Sequence, residues 1–166
     1  YYPKNLNIIT TSNWQLDNAK NSYLFKDMDI HKVGLPINFD FWKPIDKETS
    51  RNLINIPKNK FVVLIGSERI DSVRKGFHLI NKILAKVNNK NILLLSFGRN
   101  EKNFNDFSNF EIINLNEIKS ESFDLKIAYS ASDLFIAPSI QESFGQTALE
   151  AASCCVPTVC FEKNGI

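Results

Sequence analysis

The chain has 166 residues, which suits one domain or one domain with part of a second. Hydrophobic residues make up 43% and charged residues 23%, so a proper core can be buried. The formal net charge of +2 gives no bulk field for a polyanion, so no nucleic-acid partner is expected. No apolar run approaches the roughly 18–20 residues of a membrane span, and no charged-then-apolar leader opens the chain.

Cys154, Cys155 and Cys160 are odd in number and closely spaced, and no C-x-x-C pair occurs. His31 and His78 lie far away in sequence. This pattern argues against a disulfide framework and against a metal site. It predicts reduced, mostly buried thiols in a cytoplasmic protein.

The elements follow in chain order. "LNIIT" (6–10) predicts a short strand, and "TSNWQLDNAKNSYLF" (11–25) a helix with Ser12 as its N-cap. "IHKVGLP" (30–36) predicts a strand halted by Pro36. "PINFDFWKP" (36–44) has proline at both ends, which favours an extended linker whose three aromatics pack down. Asp46 caps a short helix over 47–54.

"KFVVLIGS" (60–67) is uniformly apolar and suits a central strand covered on both faces. "ERIDSVRKG" reads as a charged loop. "FHLINKILAKV" (77–87) carries Phe77, Ile80, Ile83, Leu84 and Val87 at helical spacing. "NILLLSFG" (91–98) and "FEIINL" (110–115) predict further strands. "SFDLKIAYSAS" (122–132) predicts a helix and "DLFIAPS" (133–139) a strand. A helix follows from about Gln146, and "PTVCF" (157–161) is the last strand.

Strand and helix therefore alternate from residue 60 onward. Such alternation predicts an α/β fold: a Rossmann-like parallel sheet with helices on both faces. Ligands bind such sheets at the carboxyl ends of the strands. Three such ends are notable: "GSERIDSVRKG", "FGRNEK" and "PSIQESFG". The start "YYPKNLNIITT" lacks an initiator Met, and "FEKNGI" stops where a βα connection should begin. Both features predict a segment of a longer chain.

Two constellations carry chemistry. In "PSIQESFGQTALEA", Gly145 permits a tight turn into a helix whose N-terminus favours an anion. Ser143, Phe144 and Gly145 offer further backbone amides. Glu142 and Glu150 lie about two turns apart and could accept hydroxyls from one extended ligand. An acidic residue beside a helix start and a solvated helical glutamate fit that spacing equally well. In "GSERIDSVRKG", Arg69, Arg74 and Lys75 could clamp a diphosphate; taken alone, a solvated charged loop accounts for them better. Neither a P-loop nor a G-x-G-x-x-G fingerprint is present.

"RKGFHLI" together with "YSASDLFIAPSIQESFGQTALEAASCCVPTV" resembles the retaining glycosyltransferases of family 4, which have the GT-B fold. The match runs through Tyr129, Asp133, Leu134, Pro138, Ser139, Glu142, Phe144, Gly145, Leu149, Glu150, Ala151 and Pro157. "TTSNWQLDNAKNSYLF", "VGLPINFDFWKP" and "SRNLINIPKNKFVVLIGS" also look like that family's segments. The resemblance implies that residues 1–45 are the remnant of an amino-terminal acceptor domain and its linker. Residues 46–166 would be the carboxy-terminal, nucleotide-sugar-binding domain, incomplete at its end.

By the same resemblance, Glu142 would contact the transferred sugar, with backbone at Phe144 and Gly145. Glu150 would bind the ribose, and Lys75 the donor diphosphate with Arg69 or, as competitor, Arg74. The helix starting near Gln146 would stabilise the leaving diphosphate without a metal or other cofactor. The base would meet backbone around Gly98 and Leu115. The implied donor is a UDP- or GDP-sugar. The acceptor is unknown, a lipid-linked glycan being one option for surface polysaccharide synthesis. Any peripheral contact with the inner face of the membrane would run through the missing domain. Cys155 and Asn164 depart from the family, which usually has Gly there. Without its partner domain the chain should bind donor but not turn over. A non-catalytic scaffold module, a nucleotide-sugar epimerase or glycogen-type synthase, and a receiver-like domain are the competing readings.

Overall fold

A computed structural model describes residues 6–70, 72–87, 89–99, 110–162 and 165–166. Two sheets form. In the first, β1 (Asn7–Thr10) pairs in parallel with β2 (Asp29–Lys32), and α1 (Asn13–Lys20) connects them. The Ser12 hydroxyl accepts from the Gln15 amide at 3.2 Å and caps α1 as its sequence position predicts. The helix ends earlier than residue 25 because the Asn21 side chain and amide both bind the Asp17 carbonyl, at 2.8 and 3.0 Å.

After the linker, Asp46 caps α2 (Lys47–Leu53), accepting from the Thr49 amide at 2.8 Å. The chain then runs through β3 (Phe61–Arg69), a 3-10 turn (Val73–Lys75), α3 (Phe77–Leu84), β4 (Ile92–Arg99) and β5 (Glu111–Asn114). It continues through α4 (Phe123–Ala131), β6 (Leu134–Ala137), α5 (Gln146–Ser153) and β7 (Thr158–Cys160). These strands form a parallel sheet in the order β5-β4-β3-β6-β7.

The central position of β3 follows from its side chains. Val62 and Leu64 point into a core with Trp42, Tyr129 and Phe135, while Val63 and Ile65 meet Phe77, Ile80 and Leu84 of α3. Alternate residues of a strand face opposite sides, so a strand apolar at every position needs cover on both faces. Each fully buried Leu or Ile contributes about 1.5–3 kcal/mol, which fixes this run at the centre rather than at an edge.

The strand order determines where a ligand can sit. From β3 the chain builds outward to β4 and β5, then returns across to β6 and builds the other way. The switch lies between β3 and β6, and the loops leaving their carboxyl ends flank a crevice. At the amino end of β6, Asp133 accepts from the Val62 amide at 2.7 Å, from Arg51 at 2.6 Å and from Lys47 at 2.9 Å. Burial would raise this carboxyl, but those donors outweigh it and hold it below its ordinary value. Arg51 also donates to the carbonyls of Ala131 and Lys58, both at 3.0 Å, and so ties α2 to α4.

Three expectations are corrected. Only two of the linker aromatics pack down: Trp42 is 1% exposed and Phe41 stacks edge-on against it, but Phe39 is exposed. Ile83 sits on the α3 stripe yet is exposed, because the buried arc of the helix is filled by Phe77, Ile80 and Leu84. Of the three thiols only Cys154 is buried; Cys155 lies in the turn after α5 and Cys160 on the edge strand β7, and both are exposed. Asn164 and residues 100–102 of "FGRNEK" lie outside the described residues.

Candidate functional site

The β3 loop is docked onto the β6 loop through backbone. The Arg74 carbonyl accepts from the amides of Ile140 and Gln141, at 2.8 and 3.3 Å. Gly76 ends the 3-10 turn at φ 71°, and a Cβ there would stand 1.8 Å from the Pro138 carbonyl oxygen. Only glycine allows both that backbone angle and that approach. The docking brings Lys75 to Glu142: Nζ donates to Oε2 at 2.6 Å. Glu142 Oε2 also accepts from the Ser139 hydroxyl at 3.2 Å, and Oε1 from the Ser143 amide at 3.1 Å. Burial pushes the Glu142 carboxyl up, but Lys75, the Ser143 amide and Ser139 prevail and hold it below the ordinary glutamate value.

α5 begins behind a left-handed Gly145 (φ 81°) with no side-chain cap on its first amides. The positive end of the helix dipole and its first amides favour an anion. Glu150, one turn further in, is only 3% exposed. The Tyr129 hydroxyl donates to its Oε2 at 3.1 Å. Burial pushes the Glu150 carboxyl up to about 7, with Tyr129 and Gln146 hydrogen bonds opposing the rise and the nearby Glu121 charge adding to it. Burial also raises Tyr129 well above the ordinary phenol value, so it remains a donor.

Lys75, Glu142, Gln146 and Glu150 line one cleft of about 1040 Å³. Of the residues singled out in the sequence, Arg69, Arg74, Lys75, Glu142, Gln146 and Glu150 line it together. Ser143, Phe144, Gly145 and Gly98 are not among its lining residues. The Ser143 amide is taken by Glu142, and Gly145 packs under Ile166. Gly98 is buried where a Cβ would stand 1.8 Å from the Ser67 carbonyl oxygen. It is the neighbouring Phe97 that faces the cleft.

Sequence reading missed one wall altogether. Glu117, Lys119 and Glu121, after β5, line the cleft together with the cationic loop. Glu117 pairs with Arg99 at 2.7 Å, and Glu121 holds a left-handed φ of 53°. That angle, uncommon for a residue with a Cβ, is visible only in the folded backbone. The cleft therefore mixes cations with carboxylates and ends on a helix N-terminus, an arrangement able to take a ligand bearing both hydroxyls and an anionic group. Among the described residues no group of three His, Cys, Asp or Glu could hold a metal ion, and no helix is long and apolar enough to cross a membrane.

Residues 46–166 match the family model described as glycosyl transferases group 1. The chain is 30% identical over 132 residues to a glycogen synthase of Clostridium novyi (strain NT), covering 76% of this chain and 26% of that one. Among solved structures it is similar to sucrose-phosphate synthase from Thermosynechococcus elongatus, with a TM-score of 0.77 at 22% identity over 93% of this chain and 40% of that chain. It is also similar to a glycosyltransferase from Rickettsia africae ESF-5, with a TM-score of 0.75 at 20% identity over 98% and 46%. Anabaena HepE in complex with UDP and glucose gives a TM-score of 0.71 at 19% identity over 95% and 44%. The structural likenesses show the fold, a parallel α/β sheet of the kind in GT-B carboxy-terminal domains. The chain spans about a quarter of the length of the glycogen synthase and less than half of each of these structures.

Proposed function

Because the chain belongs to the group 1 glycosyl transferases, we propose that it forms the donor side of a retaining enzyme of family 4 that moves a hexose from a nucleoside-diphosphate sugar to an acceptor. The observation that carries this reading is the convergence of Lys75, Glu142 and the α5 N-terminus on one cleft, with Glu150 deeper in it. Departure of a nucleoside diphosphate builds negative charge, which a lysine, an arginine and a helix N-terminus stabilise without moving. Glu142 accepts hydroxyls of the transferred sugar and Glu150 those of the ribose. Arg69 is the first choice to assist Lys75, and Arg74 the competitor; both line the cleft. In this reading no metal takes part.

Residues 1–45 belong, in the same proposal, to the acceptor side and the linker, and residues 46–166 to the donor side. The separate β1–β2 sheet supports that division. The cleft of such an enzyme lies between two domains, so the proposal includes donor binding but no turnover by this segment alone. The remaining parts of the proposal are a cytoplasmic setting, a lipid-linked or other glycan acceptor and a role in surface polysaccharide synthesis.

Calorimetric titration with UDP, GDP and ADP tests the reading, followed by Lys75→Ala and Glu150→Ala. The expected result is binding of one nucleotide and loss of about tenfold or more in each variant. No binding at millimolar nucleotide, or normal binding by both variants, overturns it. A second reading, a glycogen-type synthase, is favoured by the identity to the glycogen synthase. Incorporation of glucose into an α-glucan primer by the full-length protein separates the two.

A further inference from the structure

Tyr129 has no part in the donor reading, yet its surroundings are built around one contact. The residue is 0% exposed. Its ring meets Trp42, Phe97 and Phe135 edge-on, with centroids 5.7, 6.2 and 5.6 Å away. Three aromatic neighbours pack around the buried ring and restrict its movement. The hydroxyl reaches Glu150 Oε2 at 3.1 Å.

A buried phenol needs a partner, but any backbone carbonyl would serve. A buried carboxyl is a costly choice, because its charged form loses its hydration. Glu150 nevertheless stays in place and also lines the cleft. The pair makes sense if the phenol serves the carboxyl rather than the reverse.

We propose that Tyr129 is a positioning residue for Glu150: its hydroxyl holds Oε2 and so fixes the plane of the carboxyl that a ligand hydroxyl meets in the cleft. For the identity of that hydroxyl, a ribose, the inference rests on the donor reading above. Among the described residues, the charged and polar groups that act on the Glu150 carboxyl are Tyr129 from α4, Glu121 from the turn before α4, and Gln146 and Cys154 from α5 and its end. Of these, Tyr129 and Gln146 donate to it and favour its ionised form.

The test uses Tyr129→Phe, which keeps the ring in its cage, and 3-fluorotyrosine at position 129, a stronger donor of nearly the same shape. Carbon-detected NMR titration of the Glu150 carboxyl in the ligand-free protein should show its midpoint raised by about one pH unit in Tyr129→Phe. The fluorotyrosine protein should show it lowered. UDP binding at pH 6.5 should weaken about tenfold in Tyr129→Phe, while binding of the 2′,3′-dideoxy analogue of UDP is unchanged. A midpoint that moves in neither protein, or equal losses for both nucleotides, overturns the inference. If the unmodified protein binds no nucleotide, the donor reading falls, and the carboxyl titration still decides the role of Tyr129.

Discussion

Lys75 Nζ stands 2.6 Å from Glu142 Oε2, joining two loops whose residues are 67 apart in the chain. Both side chains are mostly buried, at 16% and 14% exposure. Neither loop makes a site alone; the ion pair exists because β3 and β6 are neighbours at the switch of the sheet.

This pair sets an acid dependence of stability. The Glu142 carboxyl is held below its ordinary value of 4.5. A depressed carboxyl contributes stability above its unfolded value, and that contribution is lost as pH falls through the folded one. Resistance to urea unfolding should therefore weaken progressively below about pH 4.5. Lys75→Met should flatten that part of the curve; an unchanged slope between pH 3 and 5 would show that the pair adds nothing.

Glu150 acts in the opposite direction. Its carboxyl is pushed up from 4.5 to about 7 by burial. A raised carboxyl favours the fold below its unfolded value and loses that advantage as pH rises through the folded one. Stability of the ligand-free protein should fall between about pH 4.5 and 7, by an amount on the order of 3 kcal/mol. Glu150→Gln should remove this decline, so that the variant is the more stable protein at pH 8 and the poorer nucleotide binder. Parallel curves for the two proteins would contradict the assignment.

Gly76→Ala tests the docking of the two loops. The added Cβ would meet the Pro138 carbonyl oxygen at 1.8 Å, with φ at 71°. Strain of this kind costs about 1–3 kcal/mol, and relief requires the β3 loop to withdraw. The variant should melt lower and bind UDP more weakly although no ligand-facing side chain has changed. Unaltered UDP affinity would mean that the docking is not what presents Lys75.

Cys155→Gly should stabilise the protein. Cys155 is exposed and holds φ at 62°, a left-handed angle unfavourable for a residue with a Cβ. Glycine at that turn should add about 1 kcal/mol, read as a higher midpoint in thermal unfolding. A lower midpoint would show that the thiol makes a contact worth more than the strain.

Much of the framework was legible before folding. The caps Ser12 and Asp46 and the apolar run of β3 fell where the sequence predicts them, because each depends on residues a few positions apart or on simple periodicity. Six of the ten residues named as candidates line the cleft. The wall after β5 was invisible because Glu117, Lys119 and Glu121 form no spacing pattern; they reach the cleft only through the pairing of β5 with β4. Cys155 and Cys160 were misjudged for a similar reason. Residue type predicts average burial, but a turn and an edge strand expose whatever they carry.

The sequence by itself determined the alternation of strands and helices and the central place of β3, and its motifs pointed to a glycosyl transferase. Only the tertiary structure decided that Lys75 is already engaged by Glu142, that Glu150 is buried to the point of holding its proton near neutrality, and that the Tyr129 hydroxyl donates to it. Periodicity and caps act within a few residues. Ion pairing and proton affinity depend on distance and burial, which arise only when the sheet brings distant loops together.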